Sequence, residues 1–322
     1  MSLPLVSVVM PCFNAERFVE QAVRSALGQT HGRVELLVVD DGSTDGSAAV
    51  LARLQAEFGT RLTRLRTERT GPYPARNLAL RHAAGELVAF LDADDWWEPD
   101  FLASAWAALQ TAQADLAYCG WQNVADGAGR GAPGTEPYVP PAYEQGDVVE
   151  HFLRGCPWPI HAALVRREVL DAVGGFSERL FSSMDYDLWL RLLAVTRRLV
   201  RVPRVLAYYR WHGAGQISAV KWRQVLDAAS AQRDFVRAQP QLVAHLPRAR
   251  IAELIEGRVL QQAYKAVWAR DLDSAQRLFR HATRAGAIGV RDLRHVLPAW
   301  LPPRAYRACV GLRDRRPAST AE

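Results

Sequence analysis

Short apolar runs recur along the first 121 residues, at 6–10, 35–39, 62–65, 87–91 and 116–121, with helix-like stretches near 16–27, 43–58, 75–84 and 99–113 between them. Short buried strands that alternate with helices close into a largely parallel sheet, because a parallel crossover needs a helix-length connection. The fold class expected is therefore α/β, doubly wound, with a mostly parallel sheet flanked by helices. Such sheets bind ligands at the carboxyl ends of their strands. The polar residues of this half collect there: 11–14 follow the first run, Asp40 and Asp41 close the second, and Asp92, Asp94 and Asp95 close the fourth.

The chain continues through a Gly-, Pro- and Ala-rich stretch at 125–147. A second block has a strand at 160–165, a helix from Arg166, the turn Gly174-Gly175, a helix near 185–195 and a strand near 199–209. From about Ser218 the pattern is helical, and 263–284 reads as a helix pair. Two regions are expected, 1–217 and a helical C-terminal region, 218–322. At 49% hydrophobic and 23% charged residues the composition is that of a globular chain. No apolar run reaches membrane-spanning length, the N-terminus lacks signal-peptide character, and Cys12, Cys119, Cys156 and Cys309 fit neither a zinc site nor a disulfide framework. A cytoplasmic location is the simplest reading. Residues 216–322 carry 19 Lys+Arg against 9 Asp+Glu, so the net charge of +6 hides an acidic first part and a basic end.

Asp92-Ala93-Asp94-Asp95 places three carboxylates within four residues. Carboxylates this close repel unless a cation or hydrogen bonds compensate. Mg²⁺ or Mn²⁺ takes oxygen ligands and shares them with substrate phosphates. The plainer alternative is a solvated turn that caps the helix from Pro99. Asp41, in Asp40-Asp41-Gly42-Ser43-Thr44-Asp45, can accept hydrogen bonds from a base or ribose, while Ser43 or Thr44 caps the next helix. Phe13, after Pro11-Cys12, can stack on a base or pack in the core.

Four blocks in register resemble family 2 glycosyltransferases with the GT-A fold: Val6-Ser7-Val8-Val9-Met10-Pro11-Cys12-Phe13-Asn14, residues 35–45, Ala75-Arg76-Asn77, and residues 85–95 ending in Asp92-Ala93-Asp94-Asp95. The resemblance runs from about Val6 to Ser218. It implies that Pro11, Phe13, Asn14, Glu16, Asp41, Arg76 and Asp92 lie on the nucleotide-sugar side, with Phe13 where the family has a base-stacking Tyr. It also implies that Asp94 ligates the metal, Mn²⁺ or Mg²⁺. Residues 174–191 resemble the acceptor-side block, in which the catalytic base is the Asp of a Glu-Asp pair. Here the pair reads Met184-Asp185, which implies Asp185 as base and leaves the Glu's usual part unfilled. Asp187 competes, but residues i and i+2 do not share a helix face. His212, in Tyr208-Tyr209-Arg210-Trp211-His212, falls where a family His approaches the metal or diphosphate. Trp158 reads equally as a sugar-stacking or a core residue.

The implied activity is inverting transfer of a sugar from a nucleotide diphosphate, UDP by family habit, to an acceptor hydroxyl. The family's territory is bacterial surface polysaccharide, lipopolysaccharide and glycoprotein glycans. Two alternatives stand beside it. One is a nucleotide-sugar-binding protein without turnover; the other is a nucleotidyltransferase, against which the lack of Gly or Lys at 11–14 counts. The partners implied are a nucleotide sugar and a glycan or lipid-linked acceptor. Basic residues mixed with Trp and Leu near the C-terminus suit an anionic membrane surface, or else a soluble helical cap with solvated arginines. No nucleic-acid recognition motif is present.

Overall fold

The computed structural model describes residues 3–125, 135–211 and 221–314. The chain divides into two compact units. The first holds residues up to Leu180 and Met184–Gln216; the second holds Phe181–Ser183 and Ile217–Glu322.

The first unit is built on an eight-stranded sheet in the order β3-β2-β1-β4-β7-β6-β8-β5. The strands are β1 (Val6–Cys12), β2 (Val34–Asp40), β3 (Leu62–Arg66), β4 (Leu87–Phe90), β5 (Trp96–Trp97), β6 (Leu116–Ala125), β7 (Ala163–Arg166) and β8 (Leu199–Trp211). Strands β1 to β4 are mutually parallel; β7 pairs antiparallel with both β4 and β6; β8 is parallel to β6, and β5 antiparallel to β8. The sheet is therefore mixed, although six strands share one direction. β1 and β4 are buried along their whole length, as strands covered on both faces must be. Their valines and leucines leave no polar face to show water.

Helices α1 (Val19–Leu27), α2 (Ser47–Phe58), α3 (Pro72–His82) and α4 (Phe101–Ala112) follow β1, β2, β3 and β5 in the chain. α1 and α2 start three and four residues later than the sequence pattern indicates, because residues 13–16 and 43–47 tie to each other instead. Gly46 is the cap residue of α2, so neither Ser43 nor Thr44 caps it. The acidic turn does not cap α4 either, which begins after Asp100. Farther along come α5 (Val148–Leu153), α6 (Arg167–Val173) and α7 (Met184–Val195). The strand expected over 160–165 begins only at Ala163, since Ile160–Ala162 form a 3₁₀ turn after Pro159.

The second unit is helical: α8 (Lys221–Ala238), α9 (Arg248–Ala252), a π turn (Glu253–Gly257), α10 (Arg258–Trp268), α11 (Leu272–Arg284), α12 (Leu293–Val296) and α13 (Pro303–Asp314). α10 and α11 make the expected helix pair. Ile255, Val259 and Ala263 share its core with Ala275, Leu278, Phe279 and Ala282. No helix among the described residues is long and apolar enough to cross a membrane.

Candidate functional site

The parallel strands bring their carboxyl ends to one edge. Cys12 lies level with Asp40, and the Asp41 N–H donates to the Cys12 carbonyl at 2.8 Å. Leu91, one residue past β4, donates to Val9. Because β7 runs opposite to β4, its start and the Ile160–Ala162 turn reach the same edge. Because β8 runs with β6, its far end reaches it too.

Two loops are laced together at this edge. The Asn14 N–H donates to Ser43 Oγ at 3.1 Å, and Asn14 Oδ1 accepts from the Thr44 N–H at 2.8 Å. Glu16 Oε2 accepts from the Gly46 N–H at 2.6 Å, and Asp45 Oδ2 accepts from the Glu16 N–H at 3.1 Å. Asn14 has a φ of 49°, which Asn tolerates better than most residues. Asn14 and Glu16 thus act as ties between loops. Pro11 lies within β1, level with Val39 of β2. Phe13 stays 38% exposed, with the Arg69 guanidinium 4.7 Å from its ring centre, so core packing does not account for it.

Asp41 is buried and organises the next turn. Its Oδ1 accepts from Thr67 Oγ1 at 2.7 Å, the Thr70 N–H at 2.6 Å and Thr70 Oγ1 at 3.1 Å; its Oδ2 accepts from the Gly71 N–H at 2.7 Å. Gly71 has a φ of 97°, a conformation that only glycine adopts easily, and Pro72 then opens α3. Asp41 therefore fixes the start of the helix that carries Arg76.

Arg76 lies on the buried face of α3, and its guanidinium is ion-paired with Asp92. The rings of Tyr73 and Phe176 lie 5.4 Å from it. Burial opposes its charge, but Asp92, with Tyr73 and Asp185, more than offsets this and holds it protonated. Arg76 Nε is buried without a hydrogen-bond partner. A buried guanidinium with an unsatisfied donor suits an anionic group.

The three carboxylates of the acidic turn are used differently. Asp92 faces Arg76. Asp95 is buried: its Oδ1 accepts from the Arg210 N–H at 2.8 Å, and its Oδ2 lies 3.1 Å from His161 Nδ1. Burial raises the Asp95 carboxyl well above the usual carboxylate range, against the pull of His161. Asp94 is half-exposed, and its carbonyl accepts from Arg210 Nε at 2.9 Å. His161 and Arg210 carry no local signal of this role, because their partner lies far away in the chain.

Asp185 lies in the first turn of α7, with its Oδ1 accepting from the Tyr186 N–H at 2.8 Å. Burial raises its carboxyl; the Tyr186 N–H and the positive field of Arg76 lower it, and Asp92 raises it again. Asp185, Arg76 and Asp92 therefore act on one another electrostatically. Asp187 points elsewhere: Arg191 Nε donates to it at 2.8 Å, and Arg179 lies at 3.5 Å. Asn77 ties the 174–178 turn to α3. Its Nδ2 donates to the Phe176 carbonyl at 2.8 Å and to Glu178 Oε1 at 3.0 Å, and its Oδ1 accepts from the Phe176 N–H at 2.8 Å.

Trp158 is a core residue, not a sugar platform. It is buried, stacked on Tyr118 at 4.3 Å, with Tyr143, Phe152 and Trp189 around it. His212 lies outside the described residues.

Among the described residues no three His, Cys, Asp or Glu side chains converge as a metal cluster. Asp92 and Asp95 are committed to Arg76, Arg210 and His161. The oxygen donor of half-exposed Asp94 fits a divalent ion that takes its remaining ligands from phosphate and water.

Comparison with known proteins fits this geometry. The family model described as glycosyl transferase family 2 matches residues 7–174. An uncharacterized glycosyltransferase of Nostoc sp. is 30% identical over 218 residues, 65% of each chain. The putative teichuronic acid biosynthesis glycosyltransferase TuaG of Bacillus subtilis is 29% identical over 73% of this chain and 89% of its own. WfaP of Escherichia coli, named as a UDP-Glc:α-D-GlcNAc-diphosphoundecaprenol β-1,3-glucosyltransferase, is 27% identical over 70% of this chain and 84% of its own. Among solved structures, S. aureus TarS in complex with UDP-GlcNAc superposes with a TM-score of 0.64 at 19% identity, covering 97% of this chain and 92% of that one. The mannosyltransferase PcManGT of Pyrobaculum calidifontis, in complex with GDP-Man and Mn²⁺, gives 0.57 at 23% identity, covering 97% and 88%. These likenesses establish the GT-A fold, and the family match over more than half of the chain establishes the rest: the chain belongs to glycosyltransferase family 2.

Proposed function

We propose that the protein transfers a sugar from a nucleotide diphosphate, a UDP-sugar in the first instance, to an acceptor hydroxyl with inversion, in bacterial surface-glycan assembly. The observation that carries this reading is Asp185, a carboxylate with its proton affinity raised by burial, within the field of the Arg76–Asp92 pair. A base whose proton affinity is raised takes a hydroxyl proton more readily. Asp185 accepts that proton as the acceptor oxygen bonds to the anomeric carbon. The bond from that carbon to the diphosphate breaks on the opposite face, which inverts the centre, as in inverting glycoside hydrolysis with water as nucleophile.

Arg76, with its unsatisfied Nε, holds the departing diphosphate or its sugar from the protein side. Phe13, exposed at the end of β1, stacks on the base, and Pro11 shapes that turn. Asn14, Glu16 and Asp41 act on the donor by fixing the loops around it. Asp94 would hold Mn²⁺ or Mg²⁺, with His212 as the second candidate; the ion would supply neutralisation of the charge developing on the diphosphate. Residues 1–217 form the donor-binding and catalytic domain, and 218–322 a separate helical region. The UDP-sugar reading is supported by the TarS complex and the name of WfaP, and the latter also supports a lipid-linked acceptor.

The test is donor-dependent nucleotide release. Purified protein is incubated with a panel of UDP-, GDP- and dTDP-sugars with Mn²⁺, with and without a chelator, and donor binding is followed by calorimetry. Metal-dependent binding and slow release with one donor support the reading. Absence of binding to every nucleotide sugar with metal present would refute it.

A further inference from the structure

In the second unit, the segment from Gly289 to Leu301 carries several large apolar residues on the outside. Leu293, Leu297 and Trp300 are spaced i, i+4 and i+7, which places them on one side of a helical path. They are 39%, 64% and 45% exposed. The opposite side already supplies the core, since Val296 and Ala299 are buried there.

This exposure is built in. Arg280 Nε donates to the Ala299 carbonyl at 2.6 Å and its Nη2 to the Leu301 carbonyl at 2.9 Å. Gln276 Nε2 donates to the same two carbonyls at 3.0 and 2.8 Å. α11 thus clamps the backbone from beneath, and a roll that buried Leu297 would break these bonds and expose Val296.

The ridge is ringed by positive charge. Residues 284–307 contain five arginines, Arg284, Arg291, Arg294, Arg304 and Arg307, all exposed. The single acidic residue of that span is Asp292, whose oxygens accept from the Gly289 N–H and Tyr264 Oη, both at 2.7 Å. The Arg284 guanidinium lies 5.1 Å from the Trp300 ring centre. A second copy docked through this face would set one ring of arginines against another, so self-association is disfavoured. An anionic bilayer satisfies both parts: acyl chains receive Leu and Trp, and headgroup phosphates receive guanidinium groups, with Trp at the depth it favours.

We infer that the ridge Leu293–Leu297–Trp300, with its ring of arginines, docks this protein on an anionic lipid surface. The affinity of one such patch is modest and reversible, and each arginine near the surface contributes roughly fivefold.

The test uses the full chain and co-sedimentation with vesicles of phosphatidylcholine alone or with roughly one third phosphatidylglycerol. Binding to the anionic vesicles is expected to exceed that to neutral ones by about a hundredfold or more and to weaken with salt. The pair Leu297→Ser and Trp300→Ser is expected to lower it about tenfold. The pair Arg291→Gln and Arg294→Gln is expected to lower it about 25-fold. All four side chains are exposed, so the melting temperature should hold, which separates loss of binding from loss of fold. No preference for anionic vesicles, or undiminished binding by both pairs, overturns the inference. So does a concentration-dependent dimer that the Leu297→Ser and Trp300→Ser pair abolishes, which would make the face an interface between copies. None of these readouts involves a nucleotide sugar, so they stand apart from the test of the transfer reaction.

Discussion

The buried guanidinium of Arg76 is paired with the carboxylate of Asp92, joining α3 to the acidic turn that follows β4. Removing the cation by Arg76→Ala leaves Asp92 without its partner and opens space beside Tyr73 and Phe176. A fully buried pair broken in this way costs about 3–5 kcal/mol. Because Asp92 is partly in water, the expected loss is about 2–3 kcal/mol. Donor affinity is expected to fall about a hundredfold. Arg76→Lys should recover only part of this, since a lysine lacks the planar group that lies against the two rings. Urea unfolding and donor titration check both effects; unchanged donor affinity in Arg76→Ala would remove Arg76 from the donor site.

Asp185→Asn is expected to lower the transfer rate about a thousandfold while donor binding holds. Burial raises the Asp185 carboxyl above its ordinary value. A base works only when deprotonated, so activity should fall with acid at a higher pH than an ordinary aspartate would give. For stability the sign is opposite. A carboxyl raised on folding stabilises fully below its unfolded value, and that contribution is lost as pH rises through the folded value. Asp185→Asn should therefore melt no lower than the parent at neutral pH. A variant that keeps more than about a tenth of the rate would exclude Asp185 as the base.

Chelation should abolish nucleotide release, and Mn²⁺ or Mg²⁺ should restore it. Asp94→Ala is expected to raise the metal concentration needed by about a hundredfold, with little change in melting temperature because Asp94 is half-exposed. Full activity in the chelated protein would reject metal dependence.

Gly174 and Gly175 both have positive φ, 75° and 76°, but differ in surroundings. A Cβ on Gly174 meets nothing within 4 Å, whereas one on Gly175 would sit 2.8 Å from Asn77 Oδ1. Gly174→Ala should cost about 1 kcal/mol for its backbone alone. Gly175→Ala should cost about 2–3 kcal/mol, because it also displaces the Asn77 bridge to Phe176. Equal costs in chemical denaturation would mean that the bridge adds nothing.

The strands at 6–10, 35–39, 62–65 and 87–91 were legible because each is a short apolar run with its own boundaries. Helix geometry lets only one of Asp185 and Asp187 face the site; the family resemblance favours Asp185, and Asp187 is tied to Arg191 and Arg179. Residues with long-range partners were harder to read. Trp158 gave no sign of its environment until Tyr118, Phe152 and Trp189 closed around it. For Asp41, no local pattern marks that its four hydrogen bonds go to the turn at 67–71.

The sequence by itself determined the α/β class, the edge where acidic and aromatic residues gather, and the family. These depend on periodicity and on motifs a few residues long, which adjacent atoms enforce. Only the tertiary structure decided that Asp92 faces Arg76, that Asp95 is held by His161 and Arg210, and that Leu293, Leu297 and Trp300 look outward. Those outcomes hang on which distant strand or helix supplies the neighbouring atoms. A carboxylate beside a guanidinium, one beside an imidazole and one at the surface are the same residue in the sequence, and burial and partner make them chemically different.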